Sequence, residues 1–443
     1  MQNPEVNIEP EAVVANSPSP AAEPNVAAVT SPTYAGAFRC IGASCEDHCC
    51  GGWSIPLDKD TYEKYRQFPP EKLGSVVSQF VVLNSPDQPE GRFAAINLQT
   101  SGLCPFFRDD HLCGIQQEYG PQLLSATCSI FPRSLSWVQG KLEGSLSLSC
   151  PEAARNVLLN PDFMRIEANL FSGDFRTDNV FHLPNHQAGA NPDLFHAIRQ
   201  LLVSMVRDRS RPLWHRLLLI GFLCQRLDDL LPQHGEASLP AILMAYDSIN
   251  EDDVVRTEFE ALPDNPRLKL DVIFALTNTR LQDAPGHRFA DTFWTFVEGI
   301  ASPDNAQPAD DIERFQQAEQ RVHRPFFDRH PFILENYLLN YMFQNLFPYG
   351  RAGSADFAPL TMFGEYIRIA TQFAWINALL IGVAGRHKAA FAGEHVVSTV
   401  QSFTRAVEHY PDALNAMDDY IRIRGLDNLP GMAILLKNSE PSI

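Results

Sequence analysis

Eight of the nine cysteines lie within the first 150 residues of this chain of 443 residues. The eight are Cys40, Cys45, Cys49, Cys50, Cys104, Cys113, Cys128 and Cys150. Single buried cysteines are common and chemically inert in proteins. Eight in one quarter of a chain indicate instead a disulfide set, a metal site or an iron–sulfur site.

The first residues of the chain favour a reduced compartment. They contain no basic segment followed by an apolar core, so no secretory signal is predicted. The number of cysteines is odd, and a chain of this size does not need disulfides to fold. We therefore predict a cytoplasmic protein whose cysteines are thiolate ligands of a metal.

Spacing alone leaves the identity of the metal open. Zinc and iron–sulfur clusters both take four thiolates. Adjacent Cys49 and Cys50 should point in different directions, so one of them could serve a second role. His48 could replace one thiolate. Dinucleotide-binding, phosphate-loop, nucleophile-elbow and metalloprotease motifs are all missing from the sequence, so any chemistry should centre on the cysteines.

Local patterns predict the elements that hold some of these cysteines. Residues 57–66 should form a helix capped by Asp58, and residues 135–149 should form a hairpin. The hairpin delivers Cys150 to Pro151, the first position of another predicted helix. Free backbone N–H groups and the positive end of the helix dipole stabilise a thiolate there. This argument makes Cys150 a predicted ligand.

Beyond the cysteines the chain should be mainly α. We predict a disordered tail over residues 1–33, a cysteine-rich metal or cluster module with a small hairpin over residues 34–155, and a large irregular helical domain over residues 156–443. The predicted helices of that domain cover residues 191–206, 213–230, 240–246, 318–327, 333–347, 363–383, 394–410 and 413–421.

Charge and hydropathy argue against two classes of main partner. The formal net charge of −18 argues against nucleic acid and anionic membranes, and it favours partners with exposed lysines. The longest apolar segment, residues 369–384, is interrupted by Thr371, Gln372 and Asn377. It predicts a buried helix and no membrane span.

Several sequence blocks resemble the flagellin lysine-N-methylase family. They include Cys45-Glu46-Asp47-His48-Cys49-Cys50-Gly51-Gly52-Trp53 and Ser402-Phe403-Thr404-Arg405-Ala406-Val407-Glu408-His409. The other similar blocks are residues 38–40, 104–106, 112–116, 128–133, 146–154 and 335–349. The cysteine blocks are also shared with a broader zinc- or iron-chelating cysteine-cluster family.

The resemblance implies an enzyme that transfers methyl groups from S-adenosylmethionine to flagellin lysines, with a [4Fe-4S] cluster bound by the eight cysteines. The Cys-x3-Cys-x2-Cys spacing of radical enzymes is not met, so polar transfer to a neutral amine stays open. That reaction needs a base or a desolvated site, because free lysine is protonated at neutral pH.

The resemblance also suggests helper residues. Arg133 could hold a carboxylate such as that of the methyl donor, or could be structural. Further weak catalytic candidates lie in the helical blocks: Glu335, Tyr337, Arg405, Glu408 and His409. Two functions compete with methylation. One is a non-catalytic zinc- or iron-binding interaction module, and the other is a redox or electron-transfer protein.

Overall fold

The computed structural model confirms a mainly α fold. It describes residues 29–53, 55–88, 90–138, 141–161, 166–168, 181–182, 192–234, 253–283, 286–301, 308–351 and 360–438. Its helices are α1 Thr33–Ala37, α2 Lys59–Tyr65, α3 Ser75–Phe80, α4 Gly114–Tyr119, α5 Ala126–Ile130, α6 Pro151–Leu158, α7 Pro192–Arg207, α8 Leu213–His234, α9 Asp253–Ala261, α10 Pro266–Gln282, α11 His287–Ile300, α12 Pro308–Ala318, α13 Arg324–Arg329, α14 Phe332–Gln344, α15 Met362–His387, α16 Gly393–Phe403, α17 Pro411–Ile423 and α18 Leu429–Leu436.

Eight short strands form two small sheets in the N-terminal part. The strands are β1 Val29–Pro32, β2 Ile55–Leu57, β3 Val81–Leu83, β4 Ala94–Ile96, β5 Arg133–Val138, β6 Lys141–Leu146, β7 Ile166–Ala168 and β8 Phe181–His182. One sheet has the order β7-β1-β6-β5-β8, and the other has the order β2-β4-β3. The antiparallel β5–β6 pair is the predicted hairpin, in the register Arg133 to Leu146. Its predicted turn includes residues 139–140, which lie outside the described residues.

Two local predictions near the cysteines are confirmed. Asp58 caps α2, because its Oδ1 accepts a hydrogen bond of 2.9 Å from the backbone N–H of Thr61. Cys150 is the residue before α6, and Pro151 takes the first helical position. The sequence therefore correctly placed one cysteine at a helix N-terminus.

The hydrophobic core does not break at residue 155. One buried cluster joins Tyr34, Leu146 and Ala153 of the predicted cysteine module to Phe195 and Trp375 of the helical region. A smaller second cluster lies over residues 55–128 and includes Cys104. Because β5, β6 and α6 pack against the helices, this packing favours folding as one unit. The division into two domains stays a prediction.

Several predictions of local structure are wrong. The predicted tail ends too late, since residues 29–32 form β1, whose backbone pairs with β6 and β7. The predicted helix 394–410 is a regular α-helix only as far as Phe403. One π-helical turn, Thr404–Glu408, follows, and the helix stops before His409. Helices α1, α3 to α5, α9 to α12 and α18 were not predicted. Predictions for residues 1–28, 240–246 and Asn191 lie outside the described residues.

The longest apolar helix is a core helix. The segment Met362–Ala390 is long and apolar enough to cross a membrane, but its most apolar window is 100% buried inside the protein. It packs most closely against α11 and also against α8. The burial confirms the predicted core helix over residues 369–384.

Candidate functional site

The N-terminal cysteines come together in space around Cys49. All nine cysteines lie among the described residues, and all nine thiols are free. Cys49 interacts electrostatically with six of the seven other N-terminal cysteines, which are Cys45, Cys50, Cys104, Cys113, Cys128 and Cys150. Cys40 joins the group through Cys45. Cys224 is buried elsewhere, beside Asp228 and Glu365 of the helical region.

Backbone N–H groups lie near three of these sulfurs. Nearby backbone N–H groups of Phe106 and Phe107 lower the pKa of Cys104, and those of the first turns of α4 and α6 lower the pKa of Cys113 and Cys150, but none of these groups makes a regular hydrogen bond to the sulfur. Such donors stabilise thiolates and tune iron–sulfur clusters. Burial acts in the opposite direction and raises the pKa of Cys104 to about 11 and of Cys150 to about 12. As free thiols both groups are therefore neutral at pH 7.

Cysteine thiolates are the donors that zinc and iron–sulfur clusters take. Among the described residues, however, no group of three or more His, Cys, Asp and Glu side chains has the spacing of a metal-binding set. The thiols of the adjacent residues Cys49 and Cys50 interact, and this interaction lowers the pKa of Cys49. His48 is half-buried against Phe107, with ring centroids 4.1 Å apart, and the buried Nδ1 of His48 has no hydrogen-bond partner among the described residues.

A cavity of about 260 Å³ adjoins Cys49, and we call it the junction pocket. Its walls come from the cysteine loop, the turns on either side of the hairpin, and the turn after α16. The lining residues are Cys49, Gly51, Gly52, Trp53, Phe131, Ser149, Arg405, His409 and Tyr410. Trp53 forms an aromatic wall, with ring centroids 5.4 Å from Phe131 and 6.1 Å from His409.

Arg405 fastens the cysteine loop to the helical region. Its Nη1 lies 2.8 Å from Asp47 Oδ1 and donates to the carbonyl of His48 at 2.9 Å. Its Nη2 donates to the carbonyl of Gly51 at 2.8 Å. Asp47 Oδ2 also accepts a hydrogen bond of 2.7 Å from Gln401. This clamp fixes the loop that carries Cys49 against the pocket.

His409 closes the other side of the pocket as a neutral imidazole. Its Nε2 lies 2.7 Å from Ser149 Oγ and 2.9 Å from Ser147 Oγ. Burial, followed by the charges of Arg351 and Arg405, lowers the pKa of His409 to about 4. With so low a pKa, the imidazole stays neutral at pH 7 and serves as a hydrogen-bond partner of the two hydroxyl groups.

Glu408 and Tyr337 lie behind the pocket and do not line it. Tyr337 Oη donates to Glu408 Oε1 at 3.0 Å, and burial raises the pKa of Glu408 to about 7. Arg405 and Glu408 both belong to the π-helical turn, and Arg405 pairs with Asp47 of the cysteine loop. Single π-helical turns are frequent at functional sites.

Two predicted helper residues lie away from the pocket. Glu335 forms ion pairs with Arg209 at 2.7 Å and with Arg216 at 2.9 Å. The Arg133 guanidinium lies over the ring of Phe38, 5.4 Å from its centroid. Neither residue lines the junction pocket.

Sequence reasoning missed the roles of Asp47, Ser147, Ser149 and Tyr410. Tyr410 donates a short hydrogen bond to the carbonyl of Gly52. Asp47 lies between Cys45 and Cys49 in the sequence. That position alone could have predicted a residue that orients the cysteine loop. The serines and the tyrosine carried no such signal, because their roles depend on contacts over more than 200 residues of sequence.

Replacing Gly52 by alanine tests the loop conformation. Gly52 has φ of +79°, a region that other residues adopt only with strain. We expect Gly52→Ala to lower the free energy of unfolding by about 1–2 kcal/mol. Chemical denaturation measures this change. Gly91 is the control, because an added Cβ there meets nothing within 4 Å. Equal stabilities for the two variants would contradict the strained position of Gly52.

Replacing Glu408 by glutamine tests its burial. The raised pKa means that folding favours the protonated acid, so its stabilising contribution is complete below about pH 4.5 and is lost as the pH rises through 7. In Glu408→Gln the decrease in unfolding free energy from pH 5 to pH 8 should shrink by roughly 1–3 kcal/mol. Glu298→Gln, at an exposed ion pair, is the control. An unchanged pH dependence in Glu408→Gln would contradict the raised pKa.

Comparison with known proteins identifies similar sequences. Residues 199–435 match the FliB lysine N-methylase C-terminal domain. Lysine-N-methylases of Salmonella typhimurium and Salmonella choleraesuis are each 35% identical over 155 residues, which are 34% of this chain and only 38% of each relative. The flagellar biosynthetic protein FliU of Salmonella muenchen is 36% identical over 139 residues, 31% of this chain and 81% of that protein. No solved structure matches the chain.

Proposed function

The chain belongs to the FliB lysine N-methylase family, and on that premise we propose that it methylates lysine ε-amines of proteins. The methyl donor is S-adenosylmethionine, and the protein substrate is flagellin or another protein rich in surface lysines. The junction pocket carries this proposal, because it brings Cys49 together with Arg405, His409 and Tyr410 of the family-matched region.

The shape and walls of the junction pocket suit a lysine side chain. Lysine has a flexible apolar stem that ends in an amine. Trp53 and Phe131 offer aromatic surface to the stem, and His409 and Ser149 offer polar atoms to the amine. The pocket is half open, since Cys49 is exposed to solvent, and a lysine on a protein surface could enter.

Desolvation in the pocket favours the neutral amine that methyl transfer needs. A lysine ammonium group that leaves water for this cavity is disfavoured, and its pKa is lowered. His409 is uncharged at pH 7 because its pKa is about 4, so it offers the amine a hydrogen-bond acceptor, while the proton of the lysine passes to solvent. The amine nitrogen then forms a bond to the donor methyl carbon as the carbon–sulfur bond breaks, and the sulfur leaves as a thioether.

The cysteine group would hold an iron–sulfur cluster, with zinc as the alternative metal. Its ligands would come from the eight N-terminal cysteines, because Cys49 interacts with six of the other seven and Cys40 interacts with Cys45. When bound, the cluster supplies redox-active iron next to the pocket. A cytoplasmic location suits this proposal, since thiols stay reduced there.

The net charge of −18 supports a lysine-bearing partner. An acidic surface attracts basic patches on a substrate, and salt screens this attraction over a Debye length of about 8–10 Å. A purely redox function would not require a pocket with a neutral imidazole beside Cys49.

Flagellin from cells with and without this chain tests the proposal. Intact-mass spectrometry should show methyl additions on lysines only when the chain is present, and peptide mapping should place these additions on surface lysines. Identical masses of flagellin and of other cellular proteins in both strains would contradict lysine methylation and favour the non-catalytic metal module.

A further inference from the structure

A second cavity, which we call the arginine pocket, lies in the helical region. Its volume is about 400 Å³, within the range of small-molecule sites. Arg209, Arg211, Arg216 and Arg324 all line it. None of the cysteines and none of the residues around the junction pocket belong to it. Four guanidinium groups are therefore concentrated in one cavity of a chain whose net charge is −18.

The described residues that line the arginine pocket include four arginines and one acidic residue. Glu335 Oε2 lies 2.7 Å from Arg209 Nη2, and Glu335 Oε1 lies 2.9 Å from Arg216 Nη1. One carboxylate is thus shared by two arginines and leaves a positive charge between them. Asp328 is the only acidic residue among the described residues that line the pocket. The cavity therefore favours an anion.

Two further features point to a polar ligand with a negative charge. His323 lines the pocket and is only 5% exposed, and its Nε2 has no hydrogen-bond partner among the described residues. The N-terminus of the 22-residue helix α8 opens at the same wall, where Pro212, Leu213 and Trp214 line the cavity. A helix N-terminus offers free N–H groups and the positive end of its dipole to an anion.

We propose that the arginine pocket binds a small organic anion, in which a carboxylate or phosphate group is joined to a flat ring. The guanidinium groups match the paired oxygens of either anion. His323 Nε2 is available for one further hydrogen bond. The ring packs against Trp214 and Phe327 on the apolar side of the cavity. This site is separate from the proposed methylation site and does not depend on its activity.

Binding of matched charged and uncharged probes to the full-length protein tests this site. Adenosine 5′-monophosphate carries a phosphate and a ring, and adenosine is its uncharged counterpart. For a carboxylate, 3-phenylpropionate is the charged probe and 3-phenylpropanol is its uncharged counterpart. Calorimetry should give a saturable site for at least one anion and at least tenfold weaker binding of its uncharged counterpart, since hydrogen bonds to charged groups contribute about 1.5–3 kcal/mol. The anion that binds more tightly identifies the phosphate or carboxylate source.

Arg324→Gln and Arg321→Gln form a matched pair of variants. Arg324 lines the pocket, whereas Arg321 is an exposed arginine one turn earlier. Arg324→Gln should weaken binding of the anion by about tenfold, and Arg321→Gln should leave it unchanged. Both variants should keep the circular dichroism spectrum of the wild type, and Arg209→Gln replaces Arg324→Gln if that variant does not fold. Equal binding of anions and uncharged probes, equal effects of the two variants, or no saturation below about 1 mM would overturn the proposal.

Discussion

Arg405→Ala should reduce lysine methylation by about 100-fold or more, while the protein stays folded. The substitution removes the ion pair with Asp47 and both hydrogen bonds to carbonyls of the cysteine loop. The loop would then no longer hold Cys49, Gly52 and Trp53 at the pocket wall. A displacement of about 1 Å at a reacting group can cost a factor of about 100 in rate. Initial rates of methyl incorporation, measured well below the melting temperature of the variant, check this result.

Two further variants separate the clamp from a general loss of charge. Arg405→Lys keeps the positive charge but loses the planar fork, and its activity should lie between wild type and Arg405→Ala. Arg386→Ala removes an exposed ion pair with Glu298 of similar length, 2.8 Å, and should leave the activity unchanged. Full activity in Arg405→Ala would show that the loop needs no anchoring to the helical region.

Cys128→Ala should abolish the metal binding that we propose and strongly destabilise the N-terminal region. Cys128 interacts with Cys49, Cys104 and Cys113, and burial raises the pKa of its thiol to about 12. Because metal binding is coupled to folding, loss of one ligand should lower both the iron content and the thermal stability. After anaerobic purification, iron and sulfide analysis and absorption near 400 nm measure the first effect, and calorimetry measures the second.

Cys224→Ala is the matched control for the metal. Cys128 is partly buried, whereas Cys224 is fully buried in the helical core beside Asp228 and Glu365. We expect the Cys224→Ala protein to contain as much iron as the wild type. Its free energy of unfolding should fall by only about 1 kcal/mol, because the substitution leaves a small cavity. Unchanged iron in Cys128→Ala would exclude Cys128 as a ligand. Zinc without iron in the anaerobic wild-type protein would replace the cluster by a zinc site.

Features that depend only on residues close together along the chain were predictable from the sequence. The cap at Asp58, the hairpin β5–β6, and Cys150 before α6 all follow from short patterns with a direct physical cause. The mainly α fold followed from apolar residues at helical spacing. Helix α10 was missed because an amphipathic pattern is weak in it, and several of its polar side chains, such as Lys269 and Arg280, are buried.

The junction pocket could be predicted only in part. Trp53, Arg405 and His409 were named from the sequence, and they meet in one cavity although they come from distant parts of the chain. Glu335 was predicted as a helper residue from the same kind of resemblance. It forms ion pairs with Arg209 and Arg216 and does not line the junction pocket. A sequence pattern does not give the rotation of a helix around its axis. The π-helical turn before His409 is a further feature that no pattern predicted.

Methyl transfer by the purified protein tests the central proposal most directly. The anaerobically prepared chain, S-adenosylmethionine with an isotopically labelled methyl group, and purified flagellin are incubated together, and the products are analysed by peptide mass spectrometry. We predict that label appears on flagellin lysine ε-amines at a rate that Arg405→Ala reduces and Arg386→Ala does not. If the purified chain retains its metal and no flagellin lysine becomes labelled, the proposal that this chain is a lysine methylase is contradicted.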